Sequence, residues 1–125
     1  MPGELILIVE DNPNNLKLMR DVLQFRGYTT LEAETAEAGI SLALARQPAL
    51  ILMDVQLPGM DGSTAMKALK ANPSTQRIPI IAMTALAMQG DKERLLAEGF
   101  DGYMSKPVAI KEVPKMVESY LQGQL

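Results

Sequence analysis

The sequence predicts an α/β domain: a three-layer, doubly wound, five-stranded parallel sheet with helices on both faces. Three observations carry that expectation. Leu5–Val9, Ala49–Met53 and Ile78–Met83 are apolar runs too short to be helices and apolar on both sides, as strands covered on two faces are. Stretches of helical periodicity separate these runs, so successive strands join by right-handed crossovers into a parallel sheet. Glycine and proline punctuate most of the junctions, at Gly27, Pro48, Pro58, Pro73 and Gly99.

In chain order, Leu5–Val9 ends at the paired carboxylates Glu10 and Asp11, and Asn12-Pro13 follows. Asn at the N-cap with Pro at the first helical position opens a helix. Leu16, Met19, Val22, Leu23 and Arg26 line one side of it at spacings of three and four, and Gly27 stops it. Tyr28–Leu31 reads as a second strand, and an Ala/Leu-rich helix runs from Ala36 to Arg46. Ala49–Met53, the third strand, leads into Asp54 and the turn Gln56-Leu57-Pro58-Gly59-Met60-Asp61. A helix from Gly62 to Ala71 carries Ala65, Met66 and Leu69 along one side. The fourth strand, Ile78–Met83, precedes Thr84-Ala85. A helix over Asp91–Glu98, a fifth strand over Phe100–Met104 and a last helix with Ile110, Val113, Val117, Tyr120 and Leu121 on one face complete the chain. Pro114 fits that helix only within its first turn, where a missing N–H loses no partner. A single domain over residues 1–125, with no output domain attached, is expected.

Composition removes most chemistries. The 125 residues hold no cysteine and no histidine, which excludes disulfides, thiolate metal sites, cysteine nucleophiles and Ser-His-Asp triads. A net charge of −3 argues against binding nucleic acid or anionic membrane through bulk electrostatics. No apolar run is long enough to span a bilayer and the N-terminus lacks the basic start of a signal peptide, so a cytoplasmic location is expected.

What remains is a set of residues at strand ends: Glu10 and Asp11 after the first, Asp54 after the third, Thr84 after the fourth, Lys106-Pro107 after the fifth. Any one has a plain explanation; Asp54 alone would serve to cap a turn. In a doubly wound sheet, however, all of these ends share one rim, where such folds place ligands. Two unit charges about 4 Å apart interact by roughly 4 kcal/mol at an effective dielectric near 20, so three carboxylates there either raise a pKa or recruit a cation. With oxygen donors alone the suited ion is hard, Mg²⁺, Mn²⁺ or Ca²⁺, and room for waters favours Mg²⁺. Lys106 is suited to a phosphate as a point charge, and Thr84 as a hydroxyl donor. An ionised Asp54 beside a metal and a lysine is a nucleophile toward phosphorus.

On these residues the chain resembles, over essentially its whole length, the response-regulator receiver domain of two-component signalling. The matching pieces are Glu10-Asp11, Asp54 with Pro58 and Gly62, Thr84-Ala85, and Tyr103-Met104-Ser105-Lys106-Pro107. The segments Asn12-Pro13-Asn14-Asn15 and Ala85–Asp91 are similar to stand-alone cell-division regulators and to receivers of hybrid histidine kinases. The resemblance implies a flavodoxin-like (βα)5 fold of strand order 2-1-3-4-5, which the sequence pattern alone does not order. It implies that Asp54 accepts a phosphoryl group from a histidine kinase or histidine phosphotransferase. Mg²⁺, with Mn²⁺ as an alternative, would be bound by Asp11, Asp54 and the backbone carbonyl of Gln56, with Glu10 holding a water of the ion. Lys106, Thr84 and the Ala85 amide would bind the phosphoryl group, Thr84 and Tyr103 would form the switch pair, and Lys106-Pro107 would be a cis peptide. Gln56 and Leu86 would tune hydrolysis, Leu86 having no group to orient a water.

The expected output is a protein–protein signal from the surface of the fourth helix, fifth strand and fifth helix, near Leu86, Met88, Tyr103 and Ser105, read by a downstream target. The expected protein is a monomer or weak dimer that assists its own phosphorylation and dephosphorylation but turns over no separate substrate. Two alternatives use the same architecture. An aspartate-nucleophile phosphatase needs a second aspartate two residues after the nucleophile, where this chain has Gln56. A flavin-binding module needs amides or hydroxyls after the first strand, where this chain has Glu10-Asp11-Asn12.

Overall fold

Asn12 opens the first helix as its position requires, its Oδ1 accepting the N–H groups of Asn14 and Asn15 at 2.9 and 3.2 Å. The computed structural model describes residues 3–85, 90–106 and 111–122. In chain order the elements are β1 (Leu5–Val9), α1 (Pro13–Phe25), β2 (Thr29–Ala33), α2 (Ala36–Arg46), β3 (Leu50–Asp54), α3 (Gly62–Ala71), β4 (Ile80–Thr84), α4 (Asp91–Glu98), β5 (Gly102–Ser105) and α5 (Glu112–Gln122). All strand pairs are parallel and the order is β2-β1-β3-β4-β5.

The strands alternate their side chains between two faces, and the core divides accordingly. Leu7, Val9, Ile51, Met53, Ile80 and Ala82 pack with Ala36, Ala43, Ala65, Met66, Leu69 and Leu95 beneath α2, α3 and α4. Ile6, Ile8, Leu50, Leu52, Ile81, Met83 and Met104 pack with Leu16, Met19, Leu23, Val113, Val117 and Leu121 beneath α1 and α5. This explains why β1, β3 and β4 read as unbroken apolar runs: both faces are dry. Truncating a fully buried leucine such as Leu52 to alanine is expected to cost about 2–5 kcal/mol.

Several boundaries differ from the sequence expectation. β2 starts at Thr29 and continues to Ala33, because Glu32 and Ala33 still pair with Ile8 and Val9, while Tyr28 turns into the α1/α5 core. β3 and β4 run one residue further than expected, so Asp54 and Thr84 are the last residues of their strands, not the residues after them. β4 begins beyond Pro79, which has no N–H for the ladder and lends only its carbonyl, to Ile51 N–H at 2.9 Å. β5 begins at Gly102, since Phe100 is spent closing α4, with its N–H on Leu95 O, and packs in the core. Arg26 is not on the apolar face of α1; it is the exposed C-cap. Pro114 does fall in the first turn of α5. Ile110 lies outside the described residues.

Candidate functional site

The register of the sheet brings the site together. Val9 pairs with Met53, so Glu10 stands next to Asp54 at the rim. Asp54 pairs with Met83, which puts Thr84 one step beyond it on β4. Thr84 pairs with Ser105, and the Lys106 N–H then closes on Thr84 O at 2.8 Å. Alternation puts Asp54 on the face of Leu50 and Leu52, the α1/α5 side. Thr84 falls on the other face with Ala82, which pairs with the half-buried Tyr103.

Lys106 Nζ lies 2.8 Å from Asp54 Oδ2 and 2.7 Å from Glu10 Oε1, in a side chain only 15% exposed. The other oxygen of each carboxylate is held by backbone: the Gln56 N–H donates to Asp54 Oδ1 at 2.9 Å, and the Asn12 N–H to Glu10 Oε2 at 3.2 Å. Glu10 and Asp54 are buried, whereas Asp11 stands exposed beside them. Burial, and next the neighbouring Asp54, push the Glu10 carboxyl from 4.5 up to about 7, against the lowering effect of Lys106 and Asn12. Burial disfavours the Lys106 ammonium, but its contacts with Asp54 and Glu10 outweigh that and leave its pKa raised.

Carboxylate oxygens of Glu10, Asp11 and Asp54 lie within 4.8 Å of one another, a grouping able to hold a metal ion. These residues fit a hard divalent cation. All donors are oxygens, one ammonium is shared by Glu10 and Asp54 while Asp11 adds a third carboxylate, and Glu10 Oε1 meets Lys106 only as an ion pair, without a directed hydrogen bond. Such a buried oxygen has capacity left for a cation.

Residues 6–118 match the family model of the response regulator receiver domain. The chain belongs to this family. A polar-differentiation response regulator, DivK, of Brucella ovis is 41% identical over 116 residues, covering 93% of this chain and 94% of that protein. Among solved structures, the receiver domain of the sensor histidine kinase PA1611 from Pseudomonas aeruginosa superposes with a TM-score of 0.88 at 34% identity, covering 96% of this chain and 98% of that one. That structure has a magnesium ion coordinated in its active-site cleft. The signal receiver domain of a histidine kinase from Syntrophus aciditrophicus superposes equally, at 0.88 and 31% identity, covering 97% of this chain and 92% of that one.

This receiver brings Glu10, Asp11, Asp54 and Lys106 into one cluster, with Thr84 at the same rim and Gln56 attached through its amide. Ala85 follows Thr84 and is exposed. Leu86, Met88 and Pro107, expected to tune hydrolysis, to dock partners and to form a cis peptide, lie outside the described residues. One contact has no counterpart in the sequence expectations, and another is the turn-capping role open to Asp54, found here together with its place in the cluster. Pairing of Lys106 with Glu10 as well as Asp54 follows from strand parity, since residues 10, 54 and 106 all alternate to one face. The Gln56 N–H bond to Asp54 Oδ1 is an Asx turn, signalled by an aspartate two residues before the turn.

Proposed function

We propose that Asp54 is the phosphoacceptor of a two-component signalling switch, taking its phosphoryl group from a histidine kinase or histidine phosphotransferase. The observation that supports this most is the buried Asp54 carboxylate held at 2.8 Å by the Lys106 ammonium within an acidic, oxygen-only cluster. A carboxylate oxygen of Asp54 forms the new O–P bond as the N–P bond of the phosphohistidine breaks, and the nitrogen leaves with its electron pair. Burial strips water from the nucleophile, and the Gln56 N–H fixes its direction. Lys106 is close enough to exchange a carboxylate oxygen for a phosphoryl oxygen as charge moves there, with the Thr84 hydroxyl and Ala85 amide as further donors.

Glu10, Asp11, Asp54 and the Gln56 carbonyl are the groups that would hold Mg²⁺, or Mn²⁺ in its place. When bound, the ion neutralises carboxylate charge and offers a coordination position to a phosphoryl oxygen. Thr84 and Tyr103 serve as the switch pair: alternation and the Ala82–Tyr103 register set them on one face of β4 and β5. The signal leaves through α4, β5 and α5 to a downstream protein target.

The chain is altered once per cycle and turns over no separate substrate. With Gln56 two residues after Asp54, no carboxyl stands where an aspartate-nucleophile phosphatase keeps its acid–base group. A net charge of −3 favours protein partners over nucleic acid, and among the described residues no helix is long and apolar enough to cross a membrane. The proposed switch is a monomer or weak dimer working in the cytoplasm, where the ATP that charges a histidine kinase is found. Incubation with Mg²⁺ and acetyl phosphate should add the mass of one phosphoryl group to the native protein and nothing to Asp54→Asn. An unmodified native protein, with acetyl phosphate and with any histidine kinase, would refute the proposal.

A further inference from the structure

Gly62 is the first residue of α3, and its N–H donates to Val55 O at 3.0 Å. Unlike Gly59, whose φ of 77° calls for glycine, Gly62 has no left-handed backbone to explain it. Its reason is space. A Cβ at Gly62 would stand 2.2 Å from Asp54 O, 2.8 Å from Val55 Cα and 2.9 Å from Asp54 C. All three are backbone atoms at the end of β3, so no rotamer change relieves the clash.

We infer that Gly62 is a positioning residue for phosphoryl transfer: the bare start of α3 is the backstop that sets where the Asp54 backbone, and so its carboxylate, stands. The inference rests on Asp54 being the phosphoacceptor. The carboxylate is aimed by two hydrogen bonds, from Gln56 N–H to Oδ1 and from Lys106 Nζ to Oδ2. Both depend on where the Asp54 main chain sits. Gln56, whose carbonyl is assigned to the metal, lies on the short segment between β3 and α3 and moves with it. Relieving a 2.2 Å contact to ordinary van der Waals distance requires about 1 Å of backbone displacement, and a 1 Å error in a reacting group costs roughly a hundredfold in rate.

The other crowded glycines do not reach the nucleophile. A Cβ at Gly39 meets the Val9 side chain, and one at Gly102 meets the ring and hydroxyl of Tyr120. The N-cap of α3 supports the backstop, since Asp61 Oδ1 accepts the Thr64 N–H at 2.8 Å and holds the first turn together.

The test compares phosphorylation rates of the full chain with saturating Mg²⁺ and acetyl phosphate, counted per folded molecule, in the native protein, Gly62→Ala, Asp61→Ala and Leu69→Ala. Leu69 lies on the same helix in the core, away from Asp54, and serves as the control for lost stability. We expect about a hundredfold slower labelling in Gly62→Ala, together with a displaced Gln56 amide resonance, and a rate within about threefold of native in Leu69→Ala. Native-rate labelling in Gly62→Ala, or an equal loss in Leu69→Ala, overturns the inference. If Gly62→Ala does not fold, Asp61→Ala decides: a rate several-fold below that of Leu69→Ala upholds the backstop, and an equal rate overturns it. A native protein that takes no phosphoryl group, or an Asp54→Asn variant that still takes one, instead defeats the assignment of Asp54 and this inference with it.

Discussion

Lys106→Met keeps an apolar stem and removes the ammonium that lies 2.7 Å from Glu10 Oε1 and 2.8 Å from Asp54 Oδ2. Breaking a buried ion pair by deleting one partner costs about 3–5 kcal/mol, because the remaining charge is left without compensation. That loss has a pH-dependent ceiling, since a stranded carboxylate can take up a proton instead, at about 1.4 kcal/mol per pH unit above its unfolded pKa. Glu10 already titrates at about 7, so its share of the extra loss is confined to higher pH. Below about pH 7 Glu10 is protonated in the native protein, so removing the ammonium then strands one carboxylate fewer. Lys106 itself adds no slope across this window. Its raised pKa means that its contribution is fully present below the unfolded lysine value and is lost only as pH rises through the folded one. The expected result is a loss of about 3–5 kcal/mol at pH 8, where both carboxylates are charged, and a clearly smaller loss at pH 5.5, where Glu10 is protonated. Urea unfolding in EDTA, extrapolated linearly to water, measures both. An equal loss at the two pH values would refute the electrostatic reasoning.

Three further outcomes are expected. Because the folded pKa of Glu10 lies above its ordinary value, the native state binds the extra proton between about 4.5 and 7. Metal-free stability should therefore fall as pH rises through that window, by up to about 3 kcal/mol, and Glu10→Gln should flatten the slope in urea titrations. Tyr120→Phe removes the hydroxyl that donates to Asp101 O at 2.6 Å and should lower stability by about 1 kcal/mol while phosphoryl uptake stays at the native rate. Leu86→Glu supplies a group able to orient water, so its phosphorylated form should decay faster than the native one; equal or slower decay of radiolabel would remove Leu86 from the control of lifetime.

The fold was legible because its signals are strong and local. Asn12-Pro13 opens α1, and the two-sided burial of β1, β3 and β4 leaves apolar runs that admit few other readings. The errors fall where long-range pairing overrides local chemistry. Polar Glu32 belongs to β2 because β1 offers it a partner in Ile8, and apolar Phe100 is excluded from β5 because α4 needs its N–H. The carboxylates and the lysine of the site could be read from their positions at strand ends. That Lys106 sits beside Asp54 followed from their shared rim, but its second pairing, with Glu10, could not be read, because it depends on which face each strand end turns to in the folded register. The crowding at Gly62 was equally hidden, since a glycine that opens a turn and one that leaves room for a backbone look alike in sequence.

The site is thus a consequence of sheet register more than of any local motif. Asp54 faces Lys106 only while Leu50 and Leu52 face α1 and α5, because alternate residues of one strand share a face. A one-residue slip of β3 would turn Asp54 toward α2–α4 and send Ile51 and Met53 to the opposite core at the same time. The fully buried residues of both cores resist that slip, since each β3 side chain would leave the core it packs in. Core burial therefore holds the Glu10 and Asp54 carboxylates beside one ammonium, although burial disfavours the charged form of Glu10. Gly62 adds the last constraint, along the strand, at a distance that admits no side chain.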